Sequence, residues 1–150
     1  MSPAALTSVQ KQAVDALLAA GRVAVVPIDL AKAELFLQQA DDILADLPRL
    51  TRSQNRYNLA YDACHDVGEA LLAAYGYRTV SGPGQHEAVG RFLRAVFDHP
   101  PGQRAAKRFD QLRRSRNQQR YAAQPIGAAD ASVATQTAID LRTAARSQGM

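Results

Sequence analysis

At 150 residues the chain has room for one domain, large enough to bury roughly two thirds of its unfolded surface around a single core. Apolar residues make up 47%, much of it Ala and Leu, while aromatics reach only 6% and Trp is absent, a mixture that favours helices packed through small side chains. A net charge of +4 and a pI near 9.6 favour polyanionic partners, and the lone Cys64 excludes an intramolecular disulfide and a multi-cysteine zinc cluster. The opening MSPAALTSVQKQAVDALLAA lacks a basic start followed by a long apolar run, and no window approaches a membrane span. The expectation is a soluble, cytoplasmic protein with no cofactor and no membrane partner.

Helical periodicity dominates, with Pro or Gly falling where one helix hands over to the next. The first helix is predicted from about Ser8 to Ala20, capped by Thr7 or Ser8 and closed by Gly21. Val23 to Pro27 is β-branched but too short for a sheet of its own and is read as a connector. Asp29 caps a second helix through about Leu47, which Pro48 ends. The third, about Ser53 to Tyr75, sets Tyr57, Ala60, Tyr61, Cys64, Val67, Leu71 and Tyr75 on one face, with Asp62, Asp66 and Glu69 opposite, and Gly76 follows as a C-cap.

The SGPG turn, Ser81 to Gly84, leads into a fourth helix, about Gln85 to Phe97, and Pro100, Pro101 and Gly102 separate it from a fifth. That fifth stretch, RAAKRFDQLRRSRNQQRY from Arg104 to Tyr121, holds seven of the 18 basic residues and one acid, Asp110. Ala105, Phe109 and Leu112 line one side, and the next positions on that side are Arg116, Gln119 and Arg120. An unpaired guanidinium is costly to bury, so those arginines must meet acids, an anion, a partner subunit or water. A weaker sixth helix, about Ala129 to Ala145, carries a stripe of Val133, Ala138, Ile139 and Leu141, and the last residues are expected to fray. The predicted fold is all-α, a single up-and-down bundle of five or six helices over residues 1–150, with its core in 29–123 and a docking helix in 126–150.

The third to fifth helices together resemble the HEPN superfamily of small helical bundles. YNLAYDACHDVGEALLAAYGYR, Tyr57 to Arg78, looks like that family's long aromatic- and alanine-rich helix ending in a Gly turn. GQHEAVGRFLRAVF, Gly84 to Phe97, is similar to its next helix, and FDQLRRSRNQQRY, Phe109 to Tyr121, to the helix carrying the family's Arg, often Asn, then His four to six residues on. In the family's metal-independent ribonucleases that Arg and His pair across a dimer, Arg stabilising phosphate charge and His assisting proton transfer. Arg116 and Asn117 match the start of the motif here, and Tyr121 stands where the His would come. An ordinary phenol titrates near 10, against about 6.5 for imidazole, so Tyr121 is a poor proton shuttle at neutral pH.

Other groupings carry competing readings. Arg94 and His99 form a literal Arg-x4-His, but on the helix before the expected one and beside two prolines. Arg113, Arg116, Asn117 and Arg120 fall at i, i+3, i+4 and i+7, which suits either an anion site or a solvated helix end. Asp62, His65, Asp66 and Glu69 share that spacing and could hold a divalent metal, form a solvated acidic face, or neutralise the arginines. His86, on the side of Val89 and Leu93, reads as half-buried and structural, and Cys64 as a small core residue.

The leading expectation is a homodimeric, non-catalytic HEPN-like domain using Arg113, Arg116, Asn117 and Arg120 to bind RNA, a nucleotide or a cognate protein partner. The resemblance implies a toxin–antitoxin, defence or stress role. One rival is an active ribonuclease with Arg116 and with Tyr121 or His86 in place of the absent histidine. Another is a structural adaptor in which Arg116 and Arg120 pair with Asp62, Asp66 or Glu69.

Overall fold

The structure is a computed structural model describing Met1–Met150. Six helices form the bundle: α1 Ser8–Ala19, α2 Leu30–Asp46, α3 Ser53–Tyr75, α4 Gln85–Val96, α5 Gly102–Ala122 and α6 Ala128–Ser147. Their ends follow local chemistry. The hydroxyl of Thr7 accepts from the Gln10 N–H at 3.2 Å while the Gln10 carboxamide accepts from the Thr7 N–H at 2.8 Å, a reciprocal cap for α1. Asp29 caps α2 through the Lys32 N–H, and Leu47–Arg49 tighten into a 3₁₀ turn around Pro48. Gly76, at φ 82°, ends α3 in the left-handed region.

Helix α3 is the axis of the molecule, with α2, α6, α4 and α5 packed around it and α1 against α4. Its buried face takes in Tyr57, Tyr61, Cys64, Val67 and Leu71, as the periodicity requires. Gly68 lets α4 come close: a Cβ there would lie 2.3 Å from a methyl of Val89. On α5, Ala105 and Phe109 are fully buried and Leu112 nearly so.

Three expectations need correction. Val23–Val25 is not a bare connector but strand β1, paired antiparallel with β2, Tyr77–Thr79, in the register Val23 to Thr79 and Val25 to Tyr77. Two strands this short persist because the Gly76 turn places β2 beside β1 at the end of α3, where Val23 and Tyr77 bury into the core. On α6 the buried stripe is Ala131, Ala134, Ala138, Leu141 and Ala145, whereas Val133 and Ile139 face outward. Alanines seat against the small-residue face of α3, and a branched side chain would hold the axes apart.

Nor does the chain end fray. The Gln148 carbonyl accepts from the Ala4 N–H at 2.7 Å, its carboxamide donates to the Tyr75 hydroxyl at 2.8 Å, and that hydroxyl donates to the Ala4 carbonyl at 2.6 Å. Arg142, buried on α6, grips Asp41 of α2 with two bonds at 2.7 and 3.2 Å and the Met150 carbonyl with a third.

Candidate functional site

The polar half of α5 begins where its packing partners run out. Tyr57 donates its hydroxyl to the Leu112 carbonyl at 2.8 Å, the last core contact on that stripe. One turn further, the Arg116 guanidinium lies over the ring of Tyr61, 4.6 Å from its centroid. The apolar stem of Arg116 thus continues the seam while its charged head leaves it. This resolves charge on an apolar stripe: the seam turns polar where it becomes the wall of a cavity.

That cavity, of about 470 Å³, opens between α3, the SGPG turn with the start of α4, and α5. Arg113, Arg116, Asn117 and Arg120 all line it, together with Tyr61 and His86. His86 is exposed and faces the cavity rather than being half-buried. Tyr121 is not brought to the site, since its side chain is 93% exposed and points away from the cavity. Arg94 and His99 are likewise absent from its walls, and His99 instead contacts Asp98 beside the prolines at 2.6 Å.

The arginines are not equally free. Asp110, buried on α5, meets Arg113 at 3.1 Å and the more exposed Arg114 at 3.0 Å. Arg108 pairs with Asp140 of α6. Arg116 and Arg120 have no carboxylate within ion-pair distance, and Asp62 feels the charge of Arg116 without pairing with it. Glu87, the one acid in the cavity wall, is engaged by Arg91 at 2.8 Å. The Nε atoms of Arg113 and Arg116 are buried without a hydrogen-bond partner. Two unsatisfied donors beside unneutralised guanidinium charge form an arrangement that an oxyanion completes.

Behind the arginines sits a small aromatic and imidazole stack. The Tyr61 hydroxyl lies 3.2 Å from His86 Nδ1, and the rings of His86 and His65 are 4.5 Å apart. Burial pushes the Tyr61 phenol up to about 12, outweighing Arg116 and Arg113, so it stays protonated and shares its hydrogen bond with His86 as a neutral hydroxyl. His86, although exposed on its cavity side, is held below its ordinary value, first by the loss of water where its ring lies against Tyr61 and His65 and then by Arg116. The contact ties His86 Nδ1 to Tyr61 and leaves Nε2 as the ring nitrogen without a partner in the protein. His65 falls to about 4 through burial, His86 and Arg116. Its 3.8 Å approach to Glu69, itself raised by burial, is therefore a contact of a neutral ring rather than an ion pair.

On the acidic face of α3 no three side chains converge on a common point. Asp66 is raised to about 6 by burial and by Asp62 and Glu69, a sign of mutual crowding among carboxylates. Cys64 is fully buried and its thiol is pushed upward, which leaves it unreactive. Tyr61 was hidden from sequence reasoning because it sits on the apolar stripe of α3, and nothing in its spacing separates a core tyrosine from one carrying a cavity wall. No helix is long and apolar enough to cross a membrane. No family model, curated protein or solved structure matches this chain.

Proposed function

We propose that the chain is a HEPN-like helical domain that binds a phosphate-bearing ligand, RNA or a nucleotide, in the cavity beside α5 without cleaving it. The observation that carries this reading is the pair Arg116 and Arg120, which face an open cavity with Arg113 and Asn117 and form no ion pair with an acid. Guanidinium forks suit phosphate oxygens because two parallel N–H donors match two acceptors. Binding rather than cleavage follows from the proton inventory. Tyr121 lies outside the cavity wall, Tyr61 is held protonated, and His86 Nδ1 is engaged by the Tyr61 hydroxyl. The resemblance adds the expectation of a homodimer in a cytoplasmic toxin–antitoxin, defence or stress system.

Fluorescence-labelled RNA and a labelled nucleotide, titrated against wild type, Arg116→Ala and Tyr121→Phe, test the proposal. Losing a charge-assisted bidentate contact worth about 1.5–3 kcal/mol should weaken binding by Arg116→Ala roughly 10- to 100-fold. Tyr121→Phe should bind like wild type. Equal affinity of wild type and Arg116→Ala would remove the site. Cleavage of the RNA in EDTA, abolished by Arg116→Ala, would replace binding with catalysis.

A further inference from the structure

Arg116 and Arg120 also line a second cavity, of about 380 Å³, on the other side of α5, between the start of α3 and the loop leading into α6. Its polar wall is made of carboxamides: Gln54 and Asn58 from α3, Gln119 from α5 and Gln124 from the loop. The two cavities differ in what they lack. The first leaves buried donors unsatisfied, at Nε of Arg113 and Arg116, whereas the second leaves a buried acceptor unsatisfied, the Gln119 carboxamide oxygen. The Asn58 oxygen accepts from Gln54 at 3.2 Å, so the Asn58 amino group remains to donate. An acceptor on Gln119 and a donor on Asn58 form the donor and acceptor pattern of a nucleobase edge. Helix α5 ends at this point with Ala123 in the left-handed region, φ 51°, and Ala123 and the loop after it line the cavity.

We propose that the second cavity is a base-reading subsite. A nucleotide unit would place its phosphate on Arg116 and Arg120 and its base edge against Gln119 and Asn58. Residues three apart on a helix lie about 5–6 Å apart at Cβ, so Arg116 and Gln119 are spaced for adjacent parts of one nucleotide. The proposal rests on the phosphate-binding reading of the arginines. It adds that inorganic phosphate or a sugar phosphate alone is an incomplete ligand.

Calorimetric titration with adenosine 5′-monophosphate and with ribose 5-phosphate separates the two readings. Wild type should bind the nucleotide roughly tenfold or more tighter than the sugar phosphate, the range expected for a base edge held by two hydrogen bonds. Gln119→Leu and, separately, Asn58→Ala should bring that ratio close to one while ribose 5-phosphate affinity stays within about twofold of wild type. A tetra-adenylate titrated alongside identifies the source. Binding tighter than the mononucleotide supports base reading in a single strand, and equal binding supports base reading in a free nucleotide. Equal affinity of wild type for nucleotide and sugar phosphate would overturn the base subsite while leaving the anion site standing. A uniform loss of both ligands in both variants would likewise overturn it, and failure of wild type to bind either would overturn both readings.

Discussion

Asp110 offsets part of the arginine charge along α5 and would compete with an anion in the cavity for Arg113. Replacing it with Asn keeps the volume and one acceptor oxygen but removes the negative charge that meets Arg113 and Arg114. The Arg113 side chain is 17% exposed and that of Asp110 10%, so this pair is worth about 1.5–3 kcal/mol, whereas Arg114, at 70%, adds about 0–1 kcal/mol. With half of the acceptor capacity retained, Asp110→Asn should destabilise the fold by about 2 kcal/mol, or about 4–8 °C in Tm for a chain of this size. Affinity should move the other way. Removing a unit charge about 10 Å from a bound phosphate, at an effective dielectric near 20, is worth about 1.7 kcal/mol. Salt screening reduces that to roughly a fivefold gain in affinity.

The assay pairs thermal unfolding in phosphate-free buffer with calorimetric titration of the mononucleotide at low and physiological salt. A less stable protein that binds more tightly, with the gain shrinking as salt rises, bears out the competition between carboxylate and ligand. If Asp110→Asn binds no better than wild type, or more weakly, Asp110 orients Arg113 instead of competing for it, and the reasoning fails.

Two further outcomes follow from packing and titration. Gly68→Ala inserts a methyl 2.3 Å from Val89 and should cost about 1–3 kcal/mol by chemical denaturation, and Gly68→Ala with Val89→Ala should recover a good part of that loss. His65 has a folded value near 4 against an ordinary 6.5, so its contribution to stability is fully present above pH 6.5 and is lost as pH falls toward 4. Asp66, raised to about 6, works in the opposite sense, its contribution being lost as pH rises from about 4 through 6. Denaturation midpoints between pH 7 and pH 4.5 should therefore fall less steeply in His65→Asn than in wild type. Removing His65 abolishes the contribution that is lost on acidification, and parallel curves would show that His65 does not titrate with unfolding.

The helices were legible because each carries its own punctuation: Thr7 with Gln10, Asp29, Gly76 and the proline pair before Gly102 each act within a few residues. What escaped depends on distant partners. Tyr77 and Thr79 favour a strand, but three residues are too few to specify one, and β2 exists only because β1, far away in the chain, lies beside it. Hydrophobicity ranks Val133 and Ile139 above the alanines of α6, but the narrow gap over α3 selects Ala131, Ala134 and Ala138. The arginine wall was legible from helical spacing, since one face of one helix defines it. His86 was named from the sequence as a possible companion of Arg116, whereas the part played by Tyr61 was not legible, because three helices supply the cavity. The carboxamide wall was harder still, with Gln54, Asn58, Gln119 and Gln124 each ordinary for a solvent-facing position.

Helix α5 is covalently one element but thermodynamically two. Up to Leu112 its amides belong to the cooperative core, held by Phe109, by the Tyr57 hydroxyl and by α6. Beyond Arg113 the same ladder of hydrogen bonds has mostly side chains and water around it, so its opening is a local event with a far smaller free energy than global unfolding. A boundary in amide exchange protection therefore falls inside a continuous helix, one turn before Arg116. Occupancy of either cavity would stiffen only the outer segment. Ligand affinity and the order of those last turns are thus coupled, while the stability of the bundle beneath them is set independently.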